Sequence, residues 1–407
     1  MRVLIASQYF PPEITAGANR LHSFAAGLAS RGHEVEVVCE VPSHPAGAIE
    51  PGYGGRPVSR RSLQGFEVSY VWVRATPSKS PRARLLNYAS YAAMATLAGA
   101  ARRRPDAILA SSPPLSVGSV GRALARRHRA PWVLDVRDLW PDVAVVVGEI
   151  GPGRLLRFVE RLERSLYASA DAITVTTEHF RRVVAERGGD EKLTVIRNGA
   201  AAEFLDAGAE PPDPGALAAL GAGDRAGRFT WAYAGNLGIA QGLESAIEAA
   251  RELGEGFRLI LVGEGPRRES LRRLAAGLPP GAVELFDPVP SAQAAGILRA
   301  ADALLVPLAA TPGLEGFVPS KLFEYAGVGR PLVVAARGEA AELAEGAGAA
   351  ICVPPEDGNA IAAAVRRLRD DERLRERLAA AAREFGEQHS RERAVGSMEA
   401  VLESVAR

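Results

Sequence analysis

Leu314-Glu315-Gly316-Phe317-Val318-Pro319-Ser320-Lys321-Leu322-Phe323-Glu324-Tyr325 places a glycine-bearing loop, a helix start, one lysine and one carboxylate side by side. Upstream, Ala303 to Pro307 reads as a short buried strand, and Pro319 suits a first helical turn, where its missing N–H would have no partner anyway. A helix therefore starts near Pro319. Its free N–H groups and the positive end of its peptide dipole make an anion site at the end of a strand. Lys321 lies in that turn, and Glu324 comes three residues later on the same face. A ligand with phosphate at one end and a diol beside it matches the pair, which describes a nucleoside diphosphate. The chain has three lysines, Lys79, Lys192 and Lys321, among many arginines, so a lysine here answers a need for a compact charge. The bland alternative is a surface ion pair at helical spacing.

Outward from this corner, 407 residues exceed one usual core, and two domains are expected. An apolar fraction of 47% is that of a globular protein, and a net charge of +1 argues against a nucleic-acid binder, which carries a basic surplus. Cys39 and Cys352 lie far apart and read as core thiols in a reducing compartment. Met1 to Ser7 runs straight into a strand, so no signal peptide is expected, and no stretch is apolar enough to span a bilayer. The expected location is cytoplasmic, or peripheral at the inner face of the plasma membrane.

From the N-terminus, strand Arg2 to Ala6, a helix carrying Leu21, Phe24, Ala25 and Leu28, and strand Glu34 to Cys39 form a β-α-β unit. Gly17 lies just before that helix, where a backbone can approach a phosphate, but the full G-x-G-x-x-G fingerprint is missing. Ser43 to Arg61 reads as a Pro- and Gly-rich loop whose His44 is either an acceptor-site residue or incidental. Leu85 to Ala101 is an alanine-rich helix with Arg82 and Arg84 before it; it either packs on the sheet or touches an anionic lipid surface. At the end of strand Trp132 to Val136 stands Asp135-Val136-Arg137-Asp138-Leu139-Trp140-Pro141, where charges face a crevice or pair with each other. Ala200 to Arg228 reads as a linker with a lead-in helix. The alternation then restarts, placing glycine-marked helix starts near 238, 265 and 319 at carboxyl ends of strands.

Gln8-Tyr9-Phe10-Pro11-Pro12-Glu13, Arg31-Gly32-His33-Glu34-Val35, the Asp135 to Pro141 run, Tyr233-Ala234-Gly235-Asn236, Leu261-Val262-Gly263-Glu264-Gly265-Pro266 and Pro319 to Tyr325 together resemble the family-four retaining glycosyltransferases. The similarity is greatest to the branch that builds bacterial surface polysaccharides, of colanic acid or O-antigen type. It covers nearly the whole chain in the right order. It implies the α/β GT-B fold, two Rossmann-like doubly wound domains facing across a cleft: an acceptor-binding domain over 1–198, a nucleotide-sugar-binding domain over 199–386, and a C-terminal helix over 387–407 packing back on the first.

The same resemblance implies the roles. Glu324 accepts from the ribose, Lys321 holds the diphosphate, Gly17 admits the β-phosphate and Asp138 faces the sugar, while Gly263 and Gly265 line the nucleotide pocket. The donor is a nucleotide diphosphate sugar, a UDP-sugar foremost; no cofactor and no metal are needed. The acceptor is a polyprenyl-diphosphate-linked or other glycan. Three departures stand out. Gly316 occupies the position eight before Glu324 where a glutamate is common, with Glu315 one step out of register. Asn236 and Gln241 stand where relatives carry Arg and Lys, which leaves Arg197, Arg137 and Arg20 as candidate substitutes. Two other readings remain: a sugar-nucleotide epimerase, for which the second half offers only His389, and a binding protein whose thinned phosphate site no longer turns over.

Overall fold

The computed structural model describes every residue except 14, 44, 45, 79, 147–149 and 207–226. His44 and most of the expected linker lie outside the described residues. The chain divides into two compact units, Met1–Arg197 with Glu392–Arg407, and Asn198–Arg391.

The first unit is built on β1 (Arg2–Ala6), β2 (Glu34–Glu40), β3 (Val58–Leu63), β4 (Phe66–Val71), β5 (Ala107–Ser112), β6 (Trp132–Val136), β7 (Ala172–Val175) and β8 (Leu193–Val195), in sheet order β3-β4-β2-β1-β5-β6-β7-β8. All neighbours are parallel except β3 with β4. β5 and β6 are buried along their whole length, as strands covered on both faces must be. The strand order reverses between β1 and β5, which leaves a crevice at their carboxyl ends. The helices are α1 (Ala16–Ser30), α2 (Pro81–Ala100), α3 (Leu115–His128), α4 (Asp142–Val146), α5 (Arg154–Ser169) and α6 (Glu178–Val184).

The second unit carries a six-stranded parallel sheet of β9 (Phe229–Ala234), β10 (Phe257–Val262), β11 (Val283–Phe286), β12 (Ala303–Pro307), β13 (Leu332–Ala335) and β14 (Ala350–Val353), in order β11-β10-β9-β12-β13-β14. Its order reverses between β9 and β12. The helices are α7 (Ala202–Leu205), α8 (Glu244–Leu253), α9 (Arg268–Ala275), α10 (Ser291–Ala300), α11 (Ser320–Val328), α12 (Glu339–Gly346), α13 (Gly358–Asp370) and α14 (Glu372–Gln388). One more helix, α15 (Arg391–Ala406), belongs mostly to the first unit, where Val395 packs over Gly27 of α1 and Glu399 pairs with Arg31 at 2.5 Å and His33 at 2.7 Å.

Several expectations shift. Val58–Leu63, expected within a loop, is an edge strand returned to β4 by a Gln64-Gly65 turn, both residues having positive φ. Its exposed arginines gave no alternation to read and suit an edge that must not pair further. Helix α2 begins at Pro81, because Ser80 caps it by accepting from Ala83 N–H at 3.3 Å; Arg82 and Arg84 thus lie within its first turn. Residues 200–205, expected as linker, belong to the second core: Ala200, Ala201 and Phe204 are buried there with Trp231 and Phe323. Residues 387–390, expected in the returning helix, stay in the second unit. Cys39 is fully buried and its thiol is pushed up; Cys352 is half-buried, its thiol pushed up to about 12 by burial.

Candidate active site

In the second unit, β9 and β12 meet at the switch point, and the turn after β9 and the helix start beyond β12 come together there. Gly235 directly succeeds β9, and Lys321 sits in the first turn of α11, after β12 and a loop. A methyl added to Gly235 would lie 2.2 Å from Lys321 Cε and 2.7 Å from Nζ, so the glycine makes room for the lysine. The ammonium stands 5.6 Å from the centre of the Tyr233 ring. It makes no hydrogen bond or ion pair among the described residues. Pro319 is the residue just before the helix, a position whose side chain bonds no N–H, so no cap takes the first amides of α11.

Glu324 does not pair with Lys321. Its Oε1 accepts from Arg391 Nη2 at 2.7 Å, with side-chain exposures of 15% and 27%. Arg391 Nε also donates to the Gly199 carbonyl at 3.3 Å, and its backbone N–H to Ala200 O at 2.9 Å. Burial pushes Lys321 below the ordinary lysine range, against the pull of Glu324, and pushes the Glu324 carboxyl up, against the guanidinium of Arg391 and the ammonium. Arg391 was missed in the sequence: it stands 67 positions from its partner, outside any motif, and only the return of α14 brings it there.

The neighbouring turns are held backbone to backbone. Leu237 N–H donates to Glu264 O at 2.8 Å and Arg267 N–H to Leu237 O at 2.9 Å. A methyl on Gly263 would fall 1.9 Å from Gly235 O, and one on Gly265 2.4 Å from Leu237 O. These two glycines therefore serve turn-to-turn packing as well as any pocket. Asn236 is exposed, its carbonyl accepting from the Tyr233 hydroxyl at 2.7 Å. Gln241 folds back to accept from Gly238 N–H at 3.1 Å, closing a 3₁₀ turn at Ile239–Gln241, so α8 starts at Glu244 rather than near 238 as expected. Glu315 is exposed and accepts from Gly313 N–H at 2.8 Å. It lines an open pocket of about 260 Å³ with Thr311, Leu314, Arg337 and Pro355, which Lys321 and Glu324 do not line. His389 is packed on Phe385 and Phe323 at 4.4 and 5.1 Å, with Nδ1 2.9 Å from Phe385 O, which gives the epimerase reading no free base.

In the first unit, Arg20 is not available to a phosphate. It is buried against Asp135 at 3.0 Å and donates to the Ile196 carbonyl at 2.9 Å. Burial alone would raise Asp135, but Arg20, Ser111 and Arg137 bring its carboxyl below the usual range. Arg137 donates from Nε to Ser111 Oγ at 2.9 Å and from Nη2 to Pro113 O at 2.8 Å. Its Nη1 lies where a side chain on Gly17 would stand, 1.7 Å from that Cβ position. Gly17, in the first turn of α1, thus admits a guanidinium beside helix amides. Asp138 is half-exposed and makes no hydrogen bond among the described residues; burial raises its carboxyl, partly offset by Arg137.

Comparison with known proteins gives the family and the fold. Residues 15–199 match the glycosyl transferase 4-like domain family and residues 228–371 match glycosyl transferases group 1. The putative colanic acid biosynthesis glycosyl transferase WcaI of Escherichia coli is 27% identical over 380 residues, covering 90% of this chain and 91% of that protein. Among solved structures, sucrose-phosphate synthase of Thermosynechococcus elongatus superposes with a TM-score of 0.74 at 18% identity, over 99% of this chain and 98% of that one. HepE of Anabaena, solved in complex with UDP-glucose, gives 0.70 at 17%, over 99% and 100%. With both domain families matched in order on two Rossmann-like units, the chain belongs to the family-four glycosyltransferases of GT-B fold.

Proposed function

We propose that the chain moves a sugar from a nucleotide diphosphate sugar, a UDP-sugar foremost, to a hydroxyl of a polyprenyl-diphosphate-linked or other glycan, with retention at the anomeric carbon. One observation carries the donor end. Lys321 stands in the first turn of α11 and Glu324 one turn deeper on the same helix, not bonded to each other, and Gly235 leaves room for the lysine side chain. That is the arrangement a ribose and a diphosphate require, and the complex of HepE with UDP-glucose supports the class of donor.

In this reading Glu324 takes the ribose hydroxyls and Lys321 the diphosphate, joined by the amides that open α11. Gly263 and Gly265 shape the nucleotide pocket, Asn236 borders it, and Glu315 reaches the sugar. The bond between the anomeric carbon and the diphosphate oxygen breaks, and the acceptor oxygen bonds that carbon from the same face. The acceptor proton passes to a phosphate oxygen of the donor. Negative charge grows on the leaving diphosphate, so fixed positive groups that bind it more tightly in the transition state supply the main catalytic effect, without a metal. In the first unit, Arg137 beside Gly17 is the basic group this reading assigns to the diphosphate. Asp138, without a hydrogen bond among the described residues, faces the transferred sugar in this reading. The protein works at the inner face of the plasma membrane, with the helix over 85–101 toward an anionic lipid surface.

Calorimetric titration with UDP, GDP, ADP and dTDP, with and without magnesium, tests the donor end. A charge-assisted hydrogen bond contributes roughly 1.5 to 3 kcal/mol, so Glu324→Ala weakens the preferred nucleotide about ten- to a hundredfold. Equal affinity in a folded variant would overturn the ribose assignment. Binding with neither transfer nor hydrolysis would favour the non-catalytic reading, which Asn236 and Gln241 motivate.

A further inference from the structure

Helix α5 has an outer face that its own unit does not use. Glu163, Leu166 and Tyr167 turn inward and are buried. Opposite them Arg154, Arg157, Arg161 and Arg164 are all exposed, at spacings of three and four that set them in one row along the helix. None of the four guanidinium groups has a hydrogen-bond or ion-pair partner among the described residues. The acids of this helix do not balance them: Glu163 is buried and paired with Arg187 at 2.9 Å, and Glu160 is half-buried. Alongside the arginine row, in the first two turns, Phe158 is 64% and Leu155 55% exposed. Large apolar groups flanked by unpaired arginines are costly in water and favourable where hydrocarbon meets anionic headgroups.

The topology extends this patch. α2 packs on α3 and α3 on α5, so the three helices cover one face of the sheet. Each starts from the carboxyl edge, since each carries the chain from the end of one parallel strand toward the start of the next. The first turns of α2 and α5 therefore share that edge. There α2 adds Leu85 at 61% and Leu86 at 46% exposure, with Arg82 exposed in the turn before them. Between the two, Trp140 meets Tyr88 of α2 edge-on at 6.5 Å, and Val145 of α4 is exposed.

We infer that the first turns of α5 and α2 form one docking face for an anionic phospholipid bilayer, with the α5 arginine row binding headgroup phosphates and Leu155, Phe158, Leu85 and Leu86 entering the acyl boundary. This moves the weight of lipid contact from the length of α2 to the start of α5. Leu97, exposed near the far end of α2, lies at the opposite edge of the sheet and takes no part. Trp140 and Asp138 belong to the same loop, so the face brings a lipid-borne acceptor to the edge where Asp138 stands. The inference adds to the glycosyltransferase reading and does not depend on the nucleotide site.

The test is co-sedimentation of the full chain with phosphatidylcholine vesicles, with and without phosphatidylglycerol, at low and high salt. The parent protein binds the anionic vesicles and releases them as salt rises. Changing Arg154, Arg157 and Arg161 together to Gln weakens this binding about a hundredfold, at about one kcal/mol per basic residue near the surface. Leu155→Ser with Phe158→Ser weakens it at least tenfold. Vesicle binding unchanged in both variants, or equal on neutral vesicles, overturns the inference. So does a self-association of the parent that the variants abolish, which would make the face a contact between copies. Nucleotide titration of the same variants stays at the parent value, which shows them folded and separates failure here from failure of the donor assignment.

Discussion

At the switch point of the first sheet, charged side chains bind one another: Arg20 lies on Asp135, and Arg137 is anchored to Ser111 and the Pro113 carbonyl. At the switch point of the second sheet, backbone lies on backbone, Gly263 on Gly235 and Gly265 on Leu237, while Lys321 has no hydrogen-bond or ion-pair partner among the described residues. The contrast separates two ways of building a carboxyl edge. Side-chain networks hold the first edge, with one Arg137 nitrogen set against Gly17. Close-packed turns hold the second, with the Lys321 ammonium beside Gly235 and the Glu324 carboxylate held by Arg391.

Arg20→Ala breaks the comparison at its strongest point. It strands a fully buried carboxylate, so the chain loses about 3 to 5 kcal/mol in urea denaturation. A loss under about 1 kcal/mol would mean that Ser111 and Thr174, each 2.8 Å from Asp135, satisfy it alone. Gly263→Ala probes the other edge, where the new methyl meets a carbonyl oxygen at 1.9 Å with φ at +143. Overpacking and strain cost about 2 to 4 kcal/mol together. Gly17→Ala sharpens the difference, because its methyl meets the Arg137 side chain rather than backbone, and that guanidinium clears it only by giving up Ser111 and the Pro113 carbonyl. Its stability falls by about 1 to 2 kcal/mol, and the same melts show whether the two glycines differ as the two edges do.

A test by pH concerns Glu40, buried with Gln8 donating to it at 2.9 Å. Burial first, and then the nearby Glu13, push its carboxyl up to about 8. The folded state therefore holds a proton that the unfolded chain releases in the ordinary carboxylate range. Its stabilising contribution is complete below that range and is lost as pH rises to about 8. Glu40→Gln keeps the shape without the titration, so its melting temperature is near the parent's at pH 5 and above it at pH 8. Parallel melting curves at both pH values would show that Glu40 is ionised in the fold.

Elements whose own residues carry a period or a breaker were legible. The all-apolar strands, the glycine-marked helix starts and the Lys321 to Glu324 spacing were read without coordinates, because each signal is local. β3 was not, since an edge strand of exposed arginines shows no alternation. Nor was α7, whose Phe204 counts as core only once the second sheet exists to cover it. Arg391 and the Arg20 to Asp135 pair escaped for a related reason: ion pairs made over 67 and 115 positions leave no trace in spacing. The ion pair that spacing did suggest, Lys321 with Glu324, does not form.

The stacked turns around Gly235, Gly263 and Gly265 also bear on how such a protein diversifies. Those positions leave no volume for a side chain, so point mutation there is closed to selection and the turns are inherited as a fixed frame. In the proposed donor site, a change of base or sugar would then fall to the residues the frame displays, Asn236 and Glu264 among them, and to the loop that bears Glu315. Innovation in this fold is thereby confined to its rim.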